Sequence, residues 1–277
     1  MALESWLLLE PRPQILLIVD HPSTEKLAQE YGVEFTPCLE FSPRGVPLLS
    51  SVFREAQRLA KYKVMAYVNA DILLPNKLGK VIEKVKEKWK RFMIVSAPTI
   101  IDYTRLHISL GYEQEAMKHA IFHPIHTGAD LFIYTKGIFT DIPPIRLGRY
   151  YWDHWLLSYP LIYGVPVIDA TPYLPIFHPY DKTSSQCNQT GFFERFPLEH
   201  KLDAEDNLRL IGYWFLSSRE QLPYYIDSTG QLHSRLKGGM WKLQVKFMLK
   251  YTLHSLIKGQ RPLREKINPL YWITRRA

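Results

Sequence analysis

The sequence predicts an α/β fold, a mainly parallel sheet flanked by helices with a basic helical extension at its C-terminal end. Three observations carry this expectation. Short apolar runs of strand length alternate with amphipathic stretches of helix length through the first half of the chain. Two of those runs lead into carboxylates, Asp20 and Asp71, where ligands of open α/β sheets gather beyond the strand ends. From residue 239 onward, lysines recur every four positions beside an apolar face.

The elements follow in order. Residues 1–10 hold a short apolar run with no basic residue before it, closed by Glu10, a poor match to a secretion signal. Residues 14–20 read as a buried parallel strand ending in Asp20. Ser23-Thr24-Glu25 reads as a helix start and Gly32 as its stop. A helix is expected over 48–62, with Val52, Ala56, Leu59 and Ala60 at helical spacing. Residues 63–68 form the next strand, leading into Asn69-Ala70-Asp71. A charged helix follows over 78–90, with Val81, Ile82, Val85 and Trp89 on its apolar side, and then a strand over 92–97. Strands separated by such helices imply right-handed βαβ units. The second half is less regular: strands over 129–135 and 166–170, a short helix over 151–159, and a polar, turn-rich stretch over 178–206 that reads as a loop over a site. Residues 1–235 are expected to form one domain and 236–277 a basic amphipathic extension.

Composition bounds the function. With 277 residues and 46% hydrophobic content, the chain can bury a sizeable core and lies outside the disordered class. The formal net charge of +8 calls for an anionic partner: nucleic acid, an acidic lipid surface or a diphosphate. The two cysteines, Cys38 and Cys187, form no CxxC pair, which argues against a zinc site or a disulfide framework and for a cytoplasmic setting. Asn188-Gln189-Thr190 fits a glycosylation sequon, a triplet that also arises by chance. No stretch reaches the roughly 20 apolar residues that span a bilayer. The expected location is cytoplasmic, or peripheral on the cytoplasmic membrane face.

Four segments carry candidate chemistry. In Val68-Asn69-Ala70-Asp71, a carboxylate just past a strand suits a divalent cation that also grips a diphosphate, or a solvated turn. Asp153, near a helix start, is either a cap or a general base. Close by, Arg149 is a diphosphate contact or an ion-pair partner, and Trp152 and Trp155 are sugar-stacking or core rings. His178 follows an apolar segment and is a metal ligand or a structural histidine. Asp130 stands one residue inside a strand and must hydrogen-bond either a substrate hydroxyl or the fold.

Taken in order, these segments resemble the Rossmann-like GT-A glycosyltransferases, in particular a family-2-like bacterial and plant group. The resemblance runs over roughly residues 10 to 212. It begins at Pro13-Gln14 and Asp20, and continues through Gly45-Val46-Pro47-Leu48-Leu49 and 67–73. It is strongest over 127–132, Phe139, 141–144, Leu147-Gly148-Arg149 and Trp152-Asp153-His154-Trp155-Leu156, and it closes with Asp169-Ala170-Thr171 and Ile176-Phe177-His178. It implies a nucleotide-sugar donor held by Asp20, Gly45, Pro47, Leu48, Asn69, Asp71, Asp130, Arg149 and Trp152. It also implies a divalent metal, Mn²⁺ or Mg²⁺, on Asp71 and His178, and a catalytic base at Asp153 serving a hydroxyl acceptor, glycan or lipid-linked, with inversion. Asn69 departs from the DxD pattern at its first acidic position. Two other readings stay open: a sugar-phosphate nucleotidylyltransferase, although Asp20-His21-Pro22-Ser23-Thr24 lacks the Gly-rich, Arg-containing loop, and a non-catalytic binding module of the same fold.

The extension is amphipathic. Trp241, Val245, Met248, Leu249 and Leu256 share one predicted face, with Lys242, Lys246, Lys250 and His254 beside it. That pattern suits either packing on the domain or contact with an anionic membrane surface. No nucleic-acid-binding motif accompanies the charge.

Overall fold

An apolar strand without alternation needs cover on both faces, and the chain supplies it. The structure is a computed structural model that describes residues 1–19, 21–122, 128–180, 196–212, 215, 218–236 and 239–257. Helix α1 (Ala2–Leu7) precedes β1 (Leu16–Val19), α2 (Pro22–Glu30) and β2 (Glu34–Pro37), the two strands pairing in parallel. Then come α3 (Leu49–Leu59), β3 (Val64–Val68), α4 (Leu78–Lys86) and β4 (Met93–Ser96). A side excursion follows through β5 (Pro98–Ile101), α5 (Tyr112–Lys118) and β6 (Ala120–Phe122). The chain returns through β7 (Leu131–Thr135), α6 (Trp152–Ile162), β8 (Val167–Asp169) and β9 (Ile176–Pro179). Helix α7 (Leu198–Ile211), a hairpin of β10 (Tyr224–Ile226) and β11 (Leu232–Ser234), and α8 (Met240–Ile257) complete it.

The fold class is α/β, but the sheet is mixed rather than mainly parallel. Six strands run in the order β11-β10-β8-β4-β7-β3. β4, β8 and β10 are mutually parallel, whereas β7 runs antiparallel to both β3 and β4. The reason is the excursion. Between β4 and β7 the chain passes through β5, α5 and β6 instead of one covering helix, so β7 enters the sheet reversed. β5 pairs with β6 and, in parallel, with β9, making a small second sheet.

Strand alternation splits the core in two. Met93, Val95, Phe132 and Tyr134 point to one face, where they meet Val52 and Phe53 of α3 and Trp155, Leu156 and Tyr159 of α6. Ile94, Leu131, Ile133 and Ile168 point to the other, against Leu3 and Trp6 of α1 and Val81 and Val85 of α4. Phe53 stacks on Tyr134 at 5.5 Å and meets Phe139 edge-on at 5.4 Å. Truncating such a ring costs about 3–5 kcal/mol, so Phe53→Ala should be among the most damaging core changes.

Several elements depart from the expectations. Residues 1–10 contain a packed helix: the Trp6 indole donates to the Ile72 carbonyl at 2.8 Å, and the Leu74 amide donates to Ser5 Oγ at 3.0 Å. The polar stretch expected to be a loop over 178–206 contains the end of β9 and the start of α7, and its residues 181–195, with the sequon and Cys187, lie outside the described residues. Helix α8 packs against α6, one of the two arrangements its pattern suits, and buries Phe247; Met248 joins that core instead of sharing a face with Trp241, Val245, Leu249 and Leu256. Among the described residues no helix is long and apolar enough to cross a membrane.

Candidate functional site

The site assembles where β3 and β9 deliver their ends to one place. After β3 the chain turns, with the Ile72 amide donating to the Asn69 carbonyl at 3.2 Å. Ile72 and Leu73 are then fully buried, so the turn cannot swing. Leu73 exchanges two backbone hydrogen bonds with Phe177, at 2.9 and 3.1 Å. That bridge sets Asp71 beside His178: Nε2 lies 3.0 Å from Asp71 Oδ2. On its other side His178 Nδ1 donates to the Pro179 carbonyl at 2.6 Å. Burial works against an imidazolium here, but the Asp71 hydrogen bond and charge, the Pro179 carbonyl and the Asp130 charge outweigh it and push His178 up to about 9.

Behind this pair sits a second layer. Asn69 Nδ2 donates to Asp130 Oδ1 at 3.0 Å, and Tyr67 Oη donates to Asn69 Oδ1 at 3.0 Å. Asn69 thus turns its amide inward and holds Asp130. Burial, reinforced by the charges of Asp153 and Asp71 and opposed by those of His178 and Arg219, pushes Asp130 up to about 7. A buried carboxyl raised toward neutrality beside other acids makes this a candidate functional site. Burial, with the charges of Asp130 and Asp71, raises the Tyr67 phenol far above its usual value.

Asp153 reaches the same place from α6. It is the second residue of that helix, where the helix dipole stabilises a carboxylate. Its neighbour across the site is Gly128, whose φ of +75° suits glycine, and a Cβ added there would lie 2.6 Å from Asp153 Oδ2. Tyr151, which begins α6, holds φ at +77°, a conformation that is strained for a bulky residue and costs of order 1–3 kcal/mol. Stored strain one residue before Trp152 and two before Asp153 fits a site held to a set geometry.

In front of these residues opens a cleft of about 440 Å³ lined by Pro47, Tyr67, Asn69, Ala70, Asp71, Leu147 and Gly148. The volume lies within the range of small-molecule sites. Pro47 and Leu147 form one lip, tied by the Leu147 amide donating to the Pro47 carbonyl at 2.9 Å. Among the described residues no three His, Cys, Asp or Glu side chains gather as a metal-holding set.

The remaining candidates fall elsewhere. Gly45 makes the turn under that lip with φ of +74°, and Leu48 pairs with Arg146 and starts α3. Arg149 Nε donates to Asp203 Oδ2 at 3.3 Å, so it is an ion-pair partner within the fold. Trp152 is buried between Tyr67 and Phe132, with ring centroids at 5.4 and 5.6 Å, and Trp155 is core as well. Asp20 lies outside the described residues.

Two features escaped the sequence reading. Asp203 on α7 is 1% exposed and gathers Arg44 at 2.7 Å, Arg149 and Arg146, clamping the loops that carry the cleft's lips. Asp206 adds Arg146 at 3.0 Å and a short pair with Arg44. The signal was a helical run of acids, Asp203, Glu205 and Asp206, hidden in a segment read as polar loop. Arg219 is 4% exposed, with Nη1 3.1 Å from Asp169 Oδ1 and 2.5 Å from Thr171 Oγ1, and its charge reaches Asp130. Nothing local in the sequence distinguishes it from a surface arginine.

No protein-family model matches the chain, and no curated protein matches it.

Proposed function

We propose that the protein is a GT-A glycosyltransferase that moves a sugar from a nucleoside-diphosphate donor to a hydroxyl acceptor with the help of a divalent cation, working in the cytoplasm. The observation that carries this reading is the clustering of Asp71, His178, Asp130 and Asp153, brought together from four separate chain segments beside the cleft that Asp71 lines. Asp71 and His178 are the residues to hold the cation. Their donor set fits once His178 gives up the proton that Nε2 shares with Asp71: Nδ1 is committed to the Pro179 carbonyl, as the second nitrogen of ligating histidines commonly is, and Nε2 and the carboxylate would then face the cation together. A hard cation with so few protein ligands takes the rest from substrate phosphates and water. When bound, it supplies positive charge against the departing diphosphate.

The chain's own residues do the rest. Pro47, Leu147 and Gly148 shape the cleft that receives the donor. Asn69, itself held by Tyr67, fixes Asp130 behind the cleft, where it would accept or donate a hydrogen bond to a sugar hydroxyl. Asp153, at its helix start, takes the proton from the acceptor hydroxyl as that oxygen attacks the anomeric carbon, a direct displacement with inversion.

A thermal-shift screen of nucleoside diphosphates with and without Mn²⁺ tests the reading, because a specific ligand raises the melting temperature by mass action. In a hydrolysis and transfer assay over a nucleotide-sugar panel, Asp71→Ala and Asp153→Asn should each lower turnover at least about 100-fold. A chain that no nucleoside diphosphate stabilises, and that hydrolyses no donor in the panel, is not a glycosyltransferase.

A further inference from the structure

The charge of this protein is concentrated at one end. Residues 240–277 contain nine Lys and Arg and one Glu, which accounts for the whole formal net charge of +8, and residues 1–239 contain 26 basic and 26 acidic side chains. Helix α8 opens that segment and contains no Asp or Glu.

The helix is apolar on two sides, and the fold uses only one. Phe247 is 1% exposed, and Met240, Leu243, Met248 and Tyr251 pack with it on the core beside α6. On the opposite side Trp241, Val245, Leu249, Leu253 and Leu256 remain between 44% and 66% exposed. At 3.6 residues per turn these five make one continuous stripe, and Lys242, Lys246 and Lys250 run along its flank. Scattered exposed apolar residues need no explanation, but five on one helix face do.

We propose that α8 docks the protein on an anionic lipid bilayer, with its axis in the plane of the headgroups, the stripe entering the acyl boundary and the lysines meeting lipid phosphates. A helix anchored to its own domain along one side and apolar along the other is held in the orientation that this docking needs. Charge complementarity selects the occupant. A second copy would bring an equally basic helix against this one, and like charges oppose that pairing. A nucleic acid would satisfy the lysines but leave the five apolar side chains in water. A bilayer with acidic headgroups satisfies both, and a tryptophan at the stripe's edge suits the headgroup region. Docking of this kind is independent of the transfer chemistry proposed above.

The test is co-sedimentation of the full chain with vesicles of pure phosphatidylcholine and with vesicles carrying about one-third phosphatidylglycerol. Binding is expected on the acidic vesicles, weak on the neutral ones, and reduced by salt. Lys242→Glu with Lys246→Glu and Lys250→Glu, and separately Leu249→Ser with Leu253→Ser, should each weaken it at least about tenfold. Both sets lie on the outward side, so an unchanged melting temperature certifies the fold. Equal binding to both vesicle types overturns the proposal. So does binding that the leucine variant leaves intact, since a purely electrostatic contact has no use for the stripe. A concentration-dependent dimer that the leucine variant abolishes would assign the stripe to a second copy instead.

Discussion

Replacing Asp130 by Asn should stabilise the protein while disabling its site. The fold raises this carboxyl from 3.8 to about 7, chiefly through burial and then through the charge of Asp153. A shift of about three units at about 1.4 kcal/mol each sets a ceiling of about 4 kcal/mol. Asp130 is only partly buried by surface area, so we take about half of that, roughly 2 kcal/mol. The sign follows from which state loses its proton first. Below about pH 4 both states are protonated and the site costs nothing. Between about pH 4 and 7 the unfolded chain ionises while the folded one does not, so stability falls as pH rises, and above about pH 7 the loss is complete. The amide introduced by Asp130→Asn has no proton to lose, and its oxygen still accepts from Asn69. The variant should therefore match wild type near pH 4 and exceed it by about 2 kcal/mol near pH 8, worth about 4–8 °C in melting temperature. Urea unfolding of both proteins at the two pH values measures this. Parallel stability curves across that range would refute the idea that burial holds Asp130 protonated. Transfer by the variant should fall even as stability rises, the usual exchange at a strained site.

Other perturbations reach different parts of the same assembly. Asp203→Ala leaves Arg44, Arg146 and Arg149 without their buried carboxylate, and should cost about 3 kcal/mol in urea unfolding, with the milder Asp203→Asn falling between. Gly128→Ala forces a Cβ into Asp153 Oδ2 at a φ of +75°. It should cost about 1–2 kcal/mol of stability and lower transfer about 100-fold by displacing that carboxylate, seen in turnover more than in donor affinity. Phe53→Ala should cost about 3–5 kcal/mol by differential scanning calorimetry without altering the pH dependence of transfer.

Local pattern made β4, β7 and β8 legible, because their residues are buried on both faces, and it made β3, which is only partly buried, legible by its apolar run alone. The reversed direction of β7 was not legible. Strand direction depends on the path between strands, and a side excursion through β5 and β6 looks, residue by residue, like more α/β chain. At the site, the pairing of Asp71 with His178 was anticipated as shared metal ligation, and their closeness in space is set by the Leu73–Phe177 bridge, a non-local contact that no window along the sequence contains. Trp152 and Arg149 show the opposite case. A tryptophan and an arginine beside a candidate base look alike whether they face a ligand or the fold, and here Phe132 and Asp203 receive them.

Helix α1 has a practical consequence for anyone handling the protein. Its Ser5 and Trp6 side chains grip the backbone at Leu74 and Ile72, three residues and one residue past Asp71. An affinity tag fused to the amino end, or a shortened version that omits the first nine residues, would thus loosen the seat of that carboxylate from below. A preparation inactive for this reason would mimic a dead enzyme, so tags are better placed elsewhere.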